Sequence, residues 1–171
     1  MITNLGQILT QSAAHYPRKA AIIFGQKKIN FSELNLFSDR LAQGLRESGV
    51  GKGDRVALLL DNSPHFIICY FAIVKLGATV IPINHMFKYD EASFVVSDSK
   101  ASALITSAAY LDMALKIKEN FSHLKGIFTT SKARKDIISI YEWIYDPSKN
   151  FTAQNVDSGD IAVILYTSGT T

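Results

Sequence analysis

Cysteine is almost absent: Cys69 is the only one in 171 residues. No intrachain disulfide can form, and a reducing, cytoplasmic setting is the natural expectation. Cys69 lies in an apolar run, which marks a buried, inert thiol rather than a nucleophile. The opening "MITNLGQILTQSA" lacks the cationic leader and long apolar region of a secretory signal. No apolar run approaches the roughly 20 residues that a membrane-crossing helix needs, so no transmembrane segment is expected. The most apolar stretch, Phe66 to Val74, reads instead as a buried helix. His15, His65 and His123 have no cysteine or carboxylate partner at ligand spacing, so the pattern supplies neither a metal centre nor a catalytic triad. Basic residues are scattered apart from Lys132, Arg134 and Lys135. With no aromatic platform beside them, these three read as a solvated surface stretch, and no nucleic-acid partner is expected.

What is present is a chain able to build a core. Hydrophobic residues make up 47% of it, the net charge is +3, and the length suits one domain or a large piece of one. Apolar periodicity switches repeatedly between helical and strand-like, the sign of an α/β architecture. Leu5, Ile8 and Leu9 predict a first helix ending before Pro17. Ala20 to Phe24 and Lys27 to Phe31 predict a hairpin around Gly25-Gln26. Ser32 is the expected cap of the next helix, which places Leu34, Phe37, Leu41 and Leu45 on one face and stops at Gly49. Arg55 to Leu60 is a continuous apolar strand of the kind buried on both faces of a parallel sheet.

Asn62 or Ser63 then caps a helix with Pro64 in its first turn, running to Gly77. Thr79 to Ile83 is the next strand, completing a βαβ unit, a crossover that is right-handed in nearly all proteins. Asp90 to Ser97 predicts a short helix, Ala101 to Thr106 a strand, Ser107 to Phe121 a helix with Leu111, Leu115 and Ile117 inward, and Gly126 to Thr130 a strand. The alternation predicts a doubly wound, largely parallel sheet flanked by helices. Ile137 to Tyr145 suits either a helix or a strand; helix is preferred, closed by Pro147. Asp146 to Asp157 has the composition of a linker or surface loop.

At the end of the chain, the apolar run Ile161 to Leu165 leads into Tyr166-Thr167-Ser168-Gly169-Thr170-Thr171. Hydroxyls crowded around a glycine after a strand can hold anionic oxygens, because the glycine lets the chain curl and the amides point inward. Composition alone favours a plain polar turn. The segment "DIAVILYTSGTT", Asp160 to Thr171, however, resembles the opening of the signature loop of the adenylate-forming superfamily, the acyl-CoA synthetases, luciferases and adenylation domains of peptide synthetases. "INFSEL", Ile29 to Leu34, is similar to that family's early Thr/Ser-Tyr-x-Glu-Leu motif, with Phe31 departing from it. "KLGATVIPIN", Lys75 to Asn84, resembles its Lys-x-Gly-Ala-x-x-x-Pro-hydrophobic-Asn/Asp motif. The three stand in the family's order along nearly the whole chain.

The resemblance implies a two-step ligation in which a carboxylate attacks the α-phosphate of ATP and coenzyme A then takes the acyl group. It assigns Thr167, Ser168, Thr170 and Thr171 to phosphate contact, with magnesium, and Gly169 to the backbone turn. It implies that residues 1–171 are a single partial domain, the amino-terminal part of an AMP-binding domain. The loop's lysine, the acyl pocket and the carboxy-terminal catalytic lysine of the family would all lie beyond Thr171. The expectation is therefore an acid–thiol ligase, resembling a fatty-acid–CoA ligase, whose 171-residue piece is inactive alone and self-associates through faces built to pack against the rest. "NHMFKYDE", Asn84 to Glu91, looks slightly more like the fatty-acyl ligases than the peptide synthetases. An amino-acid adenylation domain and a non-catalytic interaction module with the same fold remain the alternatives. Glu33, Leu34, Gly77, Pro82 and Asn84 read as structural. Asn84 and His85 follow a strand, at the rim where α/β ligands bind, with an acid–base role for His85 the less favoured reading.

Overall fold

The architecture is that of a computed structural model, which describes residues 5–134 and 137–167. Helix α1, Leu5–His15, is followed by an antiparallel hairpin, β1 Ala20–Phe24 and β2 Lys27–Asn30, with Ile22 opposite Ile29 and Phe24 opposite Lys27. The hairpin ends one residue earlier than the sequence suggests because Phe31 already belongs to helix α2, Phe31–Glu47. Its cap is Asn30 rather than Ser32. The Asn30 side chain accepts from the Glu33 amide at 2.8 Å, and the Glu33 carboxylate accepts from the Asn30 amide at 2.9 Å. This reciprocal box satisfies two amides that the first helical turn would otherwise leave free.

Strand β3, Arg55–Leu59, leads into helix α3, Pro64–Lys75, for which Ser63 is the cap, and then into strand β4, Thr79–Pro82. Helix α4, Tyr89–Asp98, and strand β5, Ala103–Thr106, follow. The helix expected from Ser107 opens as a single 3-10 turn before α5, Leu111–Asn120. Strand β6 is Gly126–Thr129. The stretch for which helix was preferred splits: Ile138–Ser139 pairs with Phe128 and Thr129 as strand β7, and only Tyr141–Ile144 is helical, as α6. Its apolar residues serve a sheet edge first and a helix face second, which is why the spacing fits both periods.

All five strands of the main sheet are parallel, in the order β4-β3-β5-β6-β7. The sheet is covered on both sides, as a doubly wound fold requires. Val56, Leu58, Val80, Ala103 and Ile105 face α1, α2, α3 and α6; Ala57, Leu59, Ile81, Leu104 and Ile127 face α4 and α5. Alternation of side chains along each strand produces this division.

On the first face, Lys75 at the end of α3 is fully buried. Its ammonium donates to Asp39 at 2.6 Å and to the Asn35 side chain at 2.8 Å, both on α2. Burial pushes Lys75 below and Asp39 above their ordinary pKa values, and the attraction between them opposes both shifts. Nearby, Gly44 of α2 lies so close to Trp143 that a Cβ there would overlap the indole.

Candidate functional site

The site begins where the chain returns to the sheet after the irregular stretch from Asp146. The Val80 amide donates to the Ala162 carbonyl at 2.9 Å, and the Ile164 amide donates to the Val80 carbonyl at 3.0 Å. Val163 thereby forms a parallel bridge with Val80 on the open side of β4. The Thr79 hydroxyl adds a bond to the Ile161 carbonyl at 2.8 Å. The expected strand is thus reduced to one bridge at the sheet edge, with Ile161 and Leu165 turned outwards and about two-thirds exposed. Because the pairing is parallel, Tyr166 and Thr167 emerge at the carboxyl edge of the sheet. In open α/β sheets this is where ligands bind.

Tyr166 anchors this exit. Its hydroxyl donates to the Asp98 carboxylate at 2.6 Å, and its ring meets Phe94 edge-on with centroids 6.4 Å apart. Burial, then the hydrogen bond to Asp98 and its charge, push the phenol up to about 12, so it stays a neutral donor. Thr167, the next residue, is exposed and borders a groove of about 410 Å3 with Phe87, Glu91, Phe94, Val95 and Tyr166. Ser168, Gly169, Thr170 and Thr171 lie outside the described residues.

Elsewhere along the carboxyl edge, the Tyr110 hydroxyl donates to Asp61 at 2.6 Å after β3, and the Thr106 hydroxyl donates to the Leu59 carbonyl at 3.2 Å. These bonds tie β3 and β5 together where the order of strands reverses. Asn84 accepts from the Met86 amide at 3.0 Å, forming a turn, and His85 is exposed. The motif Lys75 to Asn84 is structural in a way its spacing did not reveal. Lys75 is an interior charge, Gly77 ends α3 at φ +71°, where a Cβ would press on Val156, and Thr79 and Val80 hold the approach to Thr167. No local pattern announces these partners, because Ile161 is separated from Thr79 by 82 residues.

The other residues raised by the sequence do not join this site. His15 bonds the Gln11 carbonyl, His123 sits edge-on to Phe121, and His65 pairs with Tyr141. Among the described residues no group of three or more histidines, cysteines or carboxylates has metal-binding geometry. Cys69 is fully buried, and burial pushes its thiol far above the usual range. Lys132 and Arg134 are exposed, while Lys135 lies outside the described residues.

A parallel sheet covered by helices on both faces, with Tyr166 and Thr167 at its carboxyl edge, defines an open α/β protein. The model of the AMP-binding enzyme family matches residues 9–171, and the chain belongs to that family. It is 33% identical over 178 aligned positions to a crotonobetaine/carnitine–CoA ligase of Salmonella arizonae, covering 98% of this chain and 34% of that protein. Among solved structures it is similar to the anthranilate CoA ligase AuaEII in complex with anthranoyl-AMP, with TM-score 0.90 and 26% identity, covering 98% of this chain and 33% of that one. It is also similar to a long-chain-fatty-acid-CoA ligase from Archaeoglobus fulgidus, with TM-score 0.89 and 27% identity, covering 98% and 35%. The chain therefore spans about one third of the length of the relatives it matches.

Proposed function

We propose that this chain is the amino-terminal part of an ATP-dependent acid–CoA ligase that activates a carboxylic acid, in the first instance a fatty acid, as its acyl-adenylate. The observation that carries the reading is the seat of the loop. Tyr166, fixed by Asp98 and Phe94, delivers Thr167 to the carboxyl edge of the sheet, in a chain of the AMP-binding family. The substrate carboxylate attacks the α-phosphorus of ATP, an acyl–phosphate bond forms, and the bond to pyrophosphate breaks. The thiol of coenzyme A then takes the acyl group and AMP leaves.

In this scheme Thr167, Ser168, Thr170 and Thr171 hold the β- and γ-phosphates by hydroxyl and amide donors, and Gly169 permits the turn. Placing those oxygens in line with the attack and offsetting their charge is what lowers the barrier. Oxygen donors of this kind suit magnesium, which would neutralise the leaving pyrophosphate when bound. The 171-residue piece alone is inactive in this reading, and its exposed Ile161, Leu165 and Phe94 favour self-association, to be read by sedimentation over a range of concentrations. The single buried cysteine fits a cytoplasmic setting.

The test uses the full-length protein and a panel of acids: medium- and long-chain fatty acids, aromatic acids, carnitine and crotonobetaine. Acid-dependent pyrophosphate release followed by consumption of coenzyme A is expected, strongest with the fatty acids. The crotonobetaine/carnitine–CoA ligases among the relatives favour a second acid class, and a higher kcat/KM with those betaines would replace the fatty-acid assignment. Amino-acid-dependent pyrophosphate release without use of coenzyme A would indicate an amino-acid adenylation domain. Absence of pyrophosphate release with every acid would leave the non-catalytic module.

A further inference from the structure

A second cavity, which Thr167 does not line, opens beneath the β1–β2 hairpin. It measures about 710 Å3, within the range of small-molecule pockets, and lies between the hairpin, α2, the start of α3 and α6. Its walls are aromatic. Tyr141 and Tyr145 are stacked with centroids 5.9 Å apart, Phe37 meets Tyr145 edge-on at 6.0 Å, and Phe24 of the hairpin is half exposed on the opposite side. Ile68, 3% exposed, forms part of the floor. An isolated apolar hollow would carry no chemistry, but this one has polar groups on one side.

The His65 Nε2 atom and the Tyr141 hydroxyl are hydrogen-bonded at 2.9 Å. Burial, then the charge of Lys27, hold His65 below its ordinary pKa, and burial holds Tyr141 above its own, so the pair is neutral at neutral pH. Lys27 stands opposite Phe24 in the hairpin ladder, and two residues before Ile29, so all three share the face that looks into the cavity. Among the described residues Lys27 pairs with no carboxylate, although other surface lysines such as Lys52 and Lys125 do. Lys28 also borders the cavity but stands opposite Ile23, on the other face of the hairpin, so the charge that shares the Phe24 and Ile29 face is that of Lys27, positive and uncompensated, beside an aromatic slot.

We propose that this cavity is a second ligand site, separate from the nucleotide loop, which takes an amphipathic monoanion: a carboxylate seated at Lys27 with an aromatic or aliphatic body between Phe24, Phe37 and Tyr145. Apolar contact supplies most of the affinity and the lysine supplies the preference for an acid over its neutral isostere. The site does not depend on the ligase reading: Thr167 borders a different groove, with Tyr166 and Phe94.

The experiment uses the full-length protein and a benzoylphenyl-butyrate photoprobe, with labelled peptides mapped by mass spectrometry and phenylbutyrate or phenylbutyramide as competitor. Labelling is expected in residues 24–29 and 141–145, with the acid competing about tenfold better than the amide. Lys27→Ala should bring the acid to the amide's potency, and Lys27→Arg should keep the preference. Labelling confined to other peptides, equal competition by acid and amide, or an unchanged preference in Lys27→Ala overturns the proposal. The comparison of acid with amide is made on the unaltered protein, so the test survives a variant that fails to fold.

Discussion

The two faces of the main sheet are built on different terms. The face under α1, α2, α3 and α6 carries polar and steric devices in its interior: the Lys75–Asp39–Asn35 cluster, and the contact of Gly44 with Trp143. The face under α4 and α5 is aliphatic from Ala57 through Val95 to Ile117, and its polar bonds, Tyr110 to Asp61 and Tyr166 to Asp98, lie at the margin. An interior charge pair adds little net stability but penalises any arrangement that separates its partners. The first face thus fixes how the helices sit, and the second keeps its polar bonds at the carboxyl edge.

Breaking the interior pair should have the largest effect. Lys75→Met strands the Asp39 carboxylate, and a loss of about 3 kcal/mol is expected in denaturant unfolding, with most of it recovered in Lys75→Met/Asp39→Leu. If the double variant is as unstable as the single one, the cluster is more than a charge pair. Gly44→Ala drives a methyl into the Trp143 indole and should cost about 2 kcal/mol, read from the same transition.

Changes on the second face should act on the reaction more than on the fold. Tyr166→Phe removes the bond to Asp98 but keeps the ring against Phe94. About 1 kcal/mol of stability should be lost, while KM for ATP in the full-length enzyme should rise several-fold with a smaller change in kcat. Thr167→Ala should lower kcat/KM about tenfold with the unfolding midpoint unmoved. Equal effects of both variants on stability and on KM would erase the distinction between the faces.

The smallest effect is a pH dependence from His65. Its folded pKa lies below the ordinary value of 6.5, so between the two values the unfolded chain binds more protons. Stability should therefore decline as pH falls through about 6.5 and level off below the folded pKa. His65→Gln should flatten that segment of the curve. A curve unchanged by the substitution would assign the dependence to other groups.

Much of this fold is legible in the sequence because a parallel strand covered on both faces must be apolar throughout. Arg55 to Leu60 and Thr79 to Ile83 show that requirement plainly. Gly49 and Gly77 mark helix ends, both with positive φ. What the sequence hides is long-range or very short. Strand β7 is two residues, too few for any period to register, and Asn30 and Ser32 are equally good cap residues, so the first helical turn is not fixed by residue type. Nothing local in the sequence pairs Lys75 with Asp39, 36 residues before it. Of the candidate site, the run into Thr167 was visible as a pattern, but its seat on Thr79, Val80 and Asp98 rests on partners brought together only by the fold.

The single bridge between Val80 and Val163 sets a timetable as well as a position. Closing a contact over some eighty residues costs more chain entropy than closing the β1–β2 hairpin, so it is expected to form late. Held on one side by so few bonds, it should open more readily in the native state than the central strands β3 and β5. The Ile164 amide should therefore exchange with deuterated solvent well ahead of the Ile81 and Leu104 amides, and a nucleotide that closes on Thr167 should slow it. A nucleotide bound as proposed would in that sense complete the sheet.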